Sequence, residues 1–196
     1  ILRELGVEYF ALTSAEEALA LRRYGATEPI LLLSPYNDLQ SVEALAAEDI
    51  TQMLGHSSQA ELYRQVCENL GRKPKVHLAI DTGMGRYGFP WYKLPSDLTA
   101  LTAAVEITGT YSHFNNAEKM TAIQLERFKQ ALAALRQIGI EPGLTHMSNS
   151  AAMMTIGDGG LDAVRVGSAF LGKCARNGGE LKTAVWLEAP LCQVRE

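Results

Sequence analysis

The stretch "KVHLAIDTGMGRYGF", residues 75–89, joins an apolar run to a glycine-rich turn that carries one arginine. The run "KVHLAID" is almost continuously apolar, as expected of a strand buried on both faces of a parallel sheet. The turn extends from Asp81 to Arg86. Because functional residues of parallel α/β folds lie where the strands end, Arg86 is a candidate site residue.

The same alternation of apolar runs and amphipathic helical stretches continues on both sides. The predicted strands are "VEYFALT" (7–13), "PILLL" (29–33), "ITQMLG" (50–55), "KVHLAID" (75–81), "EITGTYSHF" (106–114), "LTHMSN" (144–149) and "DAVRVGSAFLG" (162–172). Helical patterns separate them; two are predicted to start with capping boxes, Ser14 with Glu17 and Ser58 with Glu61. Repeated units of roughly 25 residues favour an α/β fold of the (β/α)₈ TIM-barrel type.

The predicted barrel is incomplete. The chain opens with "ILRELG", a pattern typical of the last turns of a helix that ends at Gly6. We therefore expect the first strand of the barrel to lie upstream of Ile1.

Composition excludes several classes of partner. The formal net charge is −4 and the basic residues are scattered, so we expect no nucleic acid and no anionic membrane as a partner. No apolar stretch approaches the ~20 residues of a membrane span. The three cysteines match neither a disulfide framework nor a metal motif, which favours a reducing cytoplasm.

The residues at the other predicted strand ends are polar or cationic and include no acidic pair. They are His113, Asn149, Ser150, Arg165, Gly167 and Ser168. A glycosidase would need two facing carboxylates, and a zinc enzyme would need His or Cys ligands at metal spacing. The Ser150 hydroxyl at a helix start and the backbone N–H groups of Gly167 and Ser168 can instead hold a phosphate. Arginines can bind a phenolate, a ring nitrogen or a carboxylate, so we expect an anionic ligand and no metal.

Each candidate also has an ordinary structural interpretation. An arginine after a glycine turn commonly forms a surface ion pair, a lone histidine is commonly structural, and a serine at a helix start commonly caps it. Arg165 is harder to explain in this way, because an arginine in an apolar run needs a partner when it is buried. Three further histidines are assigned structural roles: His56, His77 and His146.

Four motifs, taken in chain order, resemble those of the alanine racemase family. "VHLAIDTGMGRYGF" resembles its His-x-x-x-Asp-(Thr/Ser)-Gly-Met-Gly-Arg-x-Gly segment, and "GTYSHFNNAE" its Gly-x-(Tyr/Phe)-(Thr/Ser)-His-Phe segment. "HMSNSAAMM" is similar to its His-x-x-Asn-Ser-Ala-Ala segment, and "DAVRVGSAFLG" to its Val-Arg-x-Gly-x-x-x-Tyr-Gly segment. The resemblance covers nearly the whole chain. It implies a cytoplasmic pyridoxal 5′-phosphate enzyme with an N-terminal barrel and a C-terminal β domain, acting as a homodimer on a small amino acid.

The resemblance also implies roles for the candidate residues. Arg86 matches the arginine that approaches the phenolic oxygen of the cofactor, Arg165 the one that hydrogen-bonds its pyridine nitrogen, and His113 the histidine beside the ring; these are the implied catalytic residues. The implied cofactor-binding residues are Arg86, His113, Asn149, Ser150, Arg165, Gly167 and Ser168. A guanidinium cannot accept a proton, so Arg165 would leave the pyridine nitrogen unprotonated.

The sequence departs from the family pattern in three respects. The Lys-Ala-x-Ala-Tyr-Gly stretch that carries the Schiff-base lysine is not present in these 196 residues. The opposing catalytic tyrosine belongs to the C-terminal β domain, and the chain ends where that domain would begin. Ala79 occupies the position at which many members place a lysine that steadies the first arginine.

We therefore interpret residues 1–176 as the pyridoxal-phosphate-binding barrel domain, truncated at its N-terminus. Residues 177–196 are interpreted as a junction and the first strand leading to an absent C-terminal β domain. The predicted function of the intact enzyme is the interconversion of L- and D-alanine, for peptidoglycan. A serine or broad-specificity racemase and a non-catalytic pyridoxal-phosphate-binding barrel remain alternatives. The tail "TAVWLEAPLCQVRE" (183–196) favours a racemase over the single-domain binding protein.

We expect the 196-residue chain by itself not to racemise alanine, because neither proton-transferring group of the family is present in it. Loss of one acid–base group commonly lowers a rate by about 10²–10⁴-fold. An assay coupled to D-amino-acid oxidase measures this directly. Turnover comparable to that of an intact racemase would contradict the expectation.

Overall fold

The computed structural model of the chain describes residues 2–96, 98–115, 118–172, 181, 182 and 184. The strands are Phe10–Leu12 (β1), Ile30–Leu32 (β2), Thr51–Leu54 (β3), Lys75–Asp81 (β4), Phe89–Pro90 (β5), Glu106–Tyr111 (β6) and Leu144–His146 (β7). The α-helices are Ala15–Arg23 (α1), Leu39–Ala47 (α2), Ala60–Leu70 (α3), Leu98–Leu101 (α4), Glu118–Gln137 (α5) and Ser150–Ile156 (α6). Short strands and helices therefore alternate, as the sequence predicts.

In this part of the chain the strands form one sheet with the order β1-β2-β3-β4-β6-β7, and the short β5 pairs with β4. All of the pairings are parallel. Strand order follows chain order and helices connect successive strands, as in a (β/α) barrel. The structure thus confirms the predicted fold class, an incomplete barrel.

Strand β4 shows how the alternation of side chains separates core from site. Val76, Leu78 and Ile80 point outward into the main hydrophobic core, where they join Phe128 and Leu132 of α5. Burying each such side chain contributes about 1.5–3 kcal/mol to stability. The intervening residues of the strand project to the other face, inside the barrel. Along one strand, every second residue therefore faces the site, and the residues between them face the hydrophobic core.

The seventh predicted strand, "DAVRVGSAFLG", is wrong as a strand. Only Ala163 pairs with β7, through an isolated parallel bridge to His146. At Gly167 the backbone adopts φ −131° and ψ −77°, and a short 3-10 helix, Ser168–Leu171, follows. The apolar run predicted extended backbone, but the chain leaves the sheet after Arg165.

Two smaller predictions are also corrected. β5 was not predicted, because a two-residue strand within a glycine-rich turn has no periodicity to detect. The capping box of Ser58 with Glu61 does not form; His56 and Gln59 cap a 3-10 turn, Ser57–Gln59, that precedes α3. The first cap agrees with expectation, since the Ser14 side chain accepts a hydrogen bond from the Glu17 N–H.

The predicted junction and terminal strand at 177–196 lie outside the described residues, apart from positions 181, 182 and 184. Within the described ranges, no helix has the length and apolar character needed to cross a bilayer.

Two glycines with left-handed backbone provide a test of this packing. Gly143 has φ +64°, and a Cβ there would lie 2.4 Å from the Thr108 carbonyl oxygen. Gly139 has φ +79°, but a Cβ there would meet nothing within 4 Å. Both alanine variants suffer the strain of the left-handed conformation, about 1–2 kcal/mol, and only Gly143→Ala adds a clash, costing about 1–3 kcal/mol more. Urea unfolding should show that extra loss, and equal losses in the two variants would contradict it.

Candidate ligand site at the strand ends

A cavity of about 830 Å³ lies on the inner face of the sheet and opens at the carboxyl ends of the later strands. Six of the seven predicted site residues line it: His113, Asn149, Ser150, Arg165, Gly167 and Ser168. Arg86 lines a smaller neighbouring cavity of about 370 Å³ with Asp81 and Gly85. The structure thus brings six candidates to one space and places the seventh beside it.

Arg165 is the central residue of the larger cavity. Its backbone N–H donates to the Ser148 carbonyl at 2.9 Å, which continues the contact with the end of β7. Its Nη2 donates to the carbonyl oxygens of Ser112 at 2.8 Å and Met147 at 3.3 Å. Its guanidinium carbon lies 5.3 Å from the centre of the Tyr111 ring, within the range of a cation–π contact. The guanidinium is thus held by carbonyl oxygens and an aromatic face.

Two histidines complete the surroundings of this guanidinium. Nη2 contacts His113 Nδ1 at 3.2 Å, and Nη1 contacts His146 Nδ1. Because a guanidinium only donates, both Nδ1 atoms are acceptors, and each ring carries its proton on Nε2. His146 Nε2 lies 2.9 Å from His77 Nδ1, so His146 donates to His77. The hydrogen bonds therefore run in one direction, from Arg165 through His146 to His77.

The last ring in this series is enclosed by the sheet. His77 Nε2 is buried and has no hydrogen-bond partner among the described residues. On the neighbouring strand, Gly109 is the register partner of His77, and a Cβ at that position would lie 2.5 Å from His77 Nε2. The His77 ring therefore occupies space that a side chain at position 109 would need.

Burial and the Arg165 charge keep all three rings neutral. Burial, and to a smaller extent the Arg165 charge, together lower the pKa of His77 and of His113 to about 4. The same two causes hold the pKa of His146 well below its usual range. Burial also lowers the pKa of Arg165 to about 10, so the guanidinium stays protonated at neutral pH.

Among the described residues, no carboxylate forms an ion pair with Arg165. Within the described ranges, the site therefore carries a positive charge that no carboxylate neutralises. Such a charge favours a ligand with a lone pair or a negative charge. The described ranges also hold no group of three or more acidic, His or Cys side chains that could bind a metal ion.

The other end of the cavity presents backbone N–H groups. The buried Ser150, the first residue of α6, accepts hydrogen bonds at Oγ from the N–H of Gly167 at 3.0 Å and of Ala169 at 3.3 Å. These donors converge on one oxygen atom, as they would on an oxygen of an anion. The cap of α6 is Asn149, whose Oδ1 accepts from the Ala152 N–H at 3.0 Å. The structural alternative of a helix cap therefore belongs to Asn149 and not to Ser150.

Arg86 is set by the turn that precedes it. Asp81 Oδ1 accepts from the N–H groups of Gly83, Met84 and Gly85, at 2.9, 2.9 and 3.1 Å. The Arg86 side chain is exposed and lies over the Tyr87 ring, 5.4 Å from its centre. Its charge still contributes to the lowered pKa values of His113 and Arg165. Arg86 therefore acts on the site through its field without lining the larger cavity.

Two of the histidines assigned structural roles belong to this site. His146 contacts Arg165 directly, and His77 orients His146. The sequence could have identified His77 and His146, because each lies in a predicted strand that ends at a candidate motif. Tyr111, which stacks on His146 with ring centres 5.2 Å apart, was also missed. The assignment of His56 agrees with the structure, where it caps a turn.

Comparison with known proteins shows that the chain is similar to enzymes of one name. The family model described as "Alanine racemase, N-terminal domain" matches residues 1–174. An alanine racemase of Carboxydothermus hydrogenoformans is 34% identical, over 97% of this chain and 54% of the relative. One of Symbiobacterium thermophilum is 35% identical, over 86% of this chain and 46% of the relative. The chain thus spans about half the length of the curated relatives it matches.

Solved structures give the same result. A Clostridium difficile 630 alanine racemase in complex with cycloserine superposes with a TM-score of 0.84 at 28% identity, covering 93% of this chain and 53% of that one. A Bartonella henselae alanine racemase with covalently bound pyridoxal phosphate superposes with a TM-score of 0.79 at 25% identity, covering 93% and 54%.

The neutral histidines predict a pH dependence of stability. His77 has a lowered pKa when folded, so the unfolded chain takes up its proton first. Stability should fall as the pH drops from about 6.5 to about 4, by up to about 1.4 kcal/mol per pH unit for this ring. His77→Asn keeps an acceptor near the Nδ1 position and removes the titration. Urea unfolding at pH 7.5, 6 and 5 should show the parent losing more stability than the variant; parallel curves would contradict this.

Proposed function

The chain belongs to the alanine racemase family, and from this premise we propose that it supplies the cofactor-binding barrel of an enzyme that interconverts L- and D-alanine. The observation that carries the proposal is the Arg165 guanidinium, which contacts His113 and lies in one cavity with the N–H donors around Ser150. Alanine is the proposed substrate because the relatives carry that name. The proposed cofactor is pyridoxal 5′-phosphate.

The residues present fit this cofactor at both of its ends. Ser150 Oγ accepts from the N–H groups of Gly167 and Ala169, which fixes the hydroxyl and leaves its hydrogen to be donated to a phosphate oxygen. A Cβ at Gly167 would meet nothing within 4 Å, so the backbone there is open to a close approach. Arg165 presents a guanidinium that no carboxylate among the described residues neutralises, which suits a ring nitrogen with a lone pair.

When bound, pyridoxal phosphate supplies the electron sink that makes the α-hydrogen of an amino acid removable. The residues of this chain set how strong that sink is. Arg165 has no lone pair and stays charged at neutral pH, so a ring nitrogen that faces it remains unprotonated. His146 helps to hold the guanidinium in place by accepting from Nη1. In this proposal Arg165 limits electron withdrawal and thereby favours return of the proton over side reactions.

His113 and Arg86 have different tasks in the same proposal. His113 is neutral, accepts from Arg165 at Nδ1 and keeps its proton on Nε2, so it offers a flat ring beside the ligand without adding charge. Arg86 is exposed and cationic at the end of β4, where it can attract a phenolic oxygen or a carboxylate. Ala79 is buried and has no polar side chain, so Arg86 receives no support from that position.

The two groups that transfer the α-proton are assigned in this proposal to residues outside the 196-residue sequence. The sequence contains no Lys-Ala-x-Ala-Tyr-Gly stretch, and the family tyrosine belongs to a second domain. We accordingly propose residues 1–176 as the barrel domain and 177–196 as the start of that second domain. A cytoplasmic homodimer in which each site is completed by the partner subunit is part of the same proposal.

We expect Ser150→Ala to weaken the binding of pyridoxal phosphate about tenfold, because the phosphate loses a hydroxyl donor and the organising acceptor of two N–H groups. Pyridoxal, which lacks the phosphate, should bind the parent and the variant equally. Equilibrium dialysis with absorbance detection measures both ligands. The matched control is Thr155→Ala, which removes an exposed hydroxyl from the same helix. Equal losses for both ligands would contradict a phosphate site at Ser150.

A further inference from the structure

A buried glutamine lies behind the two loops that carry Arg86 and His113. Gln124 belongs to α5, the long helix that packs across the outer face of the sheet, and its exposed fraction is 0%. A glutamine is seldom fully buried unless its amide is hydrogen-bonded, because an unsatisfied amide in an apolar interior is costly. Gln124 has neither sequence periodicity nor a motif to mark it, and none of the roles described so far involves it.

The amide of Gln124 joins the ends of β4 and β6. Its Oε1 accepts from the Asn115 N–H at 3.2 Å, and its Nε2 donates to the His113 carbonyl at 3.2 Å. The same Nε2 donates to Thr82 Oγ1 at 3.2 Å. One side chain thus holds the backbone on both sides of Phe114 and the first residue after β4.

The network continues from Thr82 in both directions. Thr82 Oγ1 lies 2.8 Å from Ser112 Oγ, and the Thr82 carbonyl accepts from Arg127 Nη1 at 2.9 Å. The carbonyl of the same Ser112 accepts from Arg165 Nη2. Thr82 is followed directly by the turn that ends at Arg86. The buried polar groups therefore connect both loops to the central guanidinium.

The chemistry at position 124 requires an amide. One end must accept from a backbone N–H and the other must donate to a carbonyl and a hydroxyl, and of the side chains of this length only an amide does both. A carboxylate would face the His113 carbonyl with a negative charge in a buried setting. An apolar side chain of the same length would leave the three partners without their hydrogen bonds.

We propose that Gln124 is a positioning residue of the site: it fixes the backbone at His113 relative to the turn that carries Arg86, and so sets the separation of the groups that meet the cofactor. The inference rests on the proposed function for the identity of the ligand. It rests on the structure alone for the placement of His113. Gln124 itself contacts neither the cavity nor a reacting group.

The test compares Gln124→Met with Gln130→Met. Both replace a glutamine of α5, but Gln130 is exposed and its amide donates to the surface side chain of Glu126. Two readouts are used besides folding: titration of the His113 ring by NMR, and the affinity for pyridoxal phosphate by equilibrium dialysis. The pKa of His113 is lowered first by burial and then by the charges of Arg165 and Arg86, so its titration reports both its exposure to water and its distance from those charges.

In Gln124→Met we expect the pKa of His113 to rise from about 4 towards its usual range, because the ring moves away from Arg165 and into water. The affinity for pyridoxal phosphate should fall about tenfold. Gln130→Met should match the parent in both. If Gln124→Met lowers only the melting temperature and leaves both readouts unchanged, Gln124 is an ordinary core residue and the proposal is wrong. If the titration of His113 changes but the affinity for pyridoxal phosphate does not, the proposal that Gln124 affects cofactor binding is wrong.

Two further outcomes are separated by design. If circular dichroism shows that Gln124→Met does not fold, Thr82→Val decides by the same readouts, since it removes one hydroxyl of the network and keeps the shape of the side chain. If the parent itself binds no pyridoxal phosphate, the proposed function fails, and the His113 titration still decides whether Gln124 positions that residue.

Discussion

A guanidinium that has lost most of its water must be surrounded by groups that accept hydrogen bonds. Arg165 has two carbonyl oxygens, two histidine nitrogens and the face of Tyr111, and no carboxylate among the described residues. The Arg165 side chain is half-buried, so its charge is partly removed from water and these partners stabilise the chain with Arg165 inside. The placement of carbonyl oxygens from the strand ends around Arg165 follows from this need for acceptors, and so do the tautomers of His113 and His146.

The sheet meets the requirement because side chains alternate along each strand. In β4 the outward residues build the core against α5, and the inward residue His77 belongs to the site. β6 and β7 contribute in the same way with Tyr111 and His146. Core and site are therefore two faces of one sheet, and a change that alters strand register would disturb both at once.

The sequence predicts the fold class because the apolar runs and helical stretches alternate regularly. The strand-end rule and the resemblance also select Arg165, His113 and Ser150, and the structure places these three residues around one cavity. Three features escape sequence reasoning for physical reasons. The run at 162–172 leaves the sheet although its apolar pattern resembles a strand, the role of His146 depends on its contact with Arg165 although its strand is predicted, and Gln124 is polar within a helix. Each depends on contacts between residues distant in the chain.

The packing of His77 against Gly109 limits how this sequence can vary. The imidazole fills the space in front of position 109, so a methyl group there would overlap it. A Cβ at 109 would also lie 2.7 Å from the Leu144 carbonyl oxygen, so a smaller residue at 77 would not by itself open the position. The ring of one strand and the carbonyl of the other therefore both require glycine at 109, between His77 of β4 and Leu144 of β7. Gly109 is thus required for the position of the His77 ring, and through it for the hydrogen bonds behind Arg165.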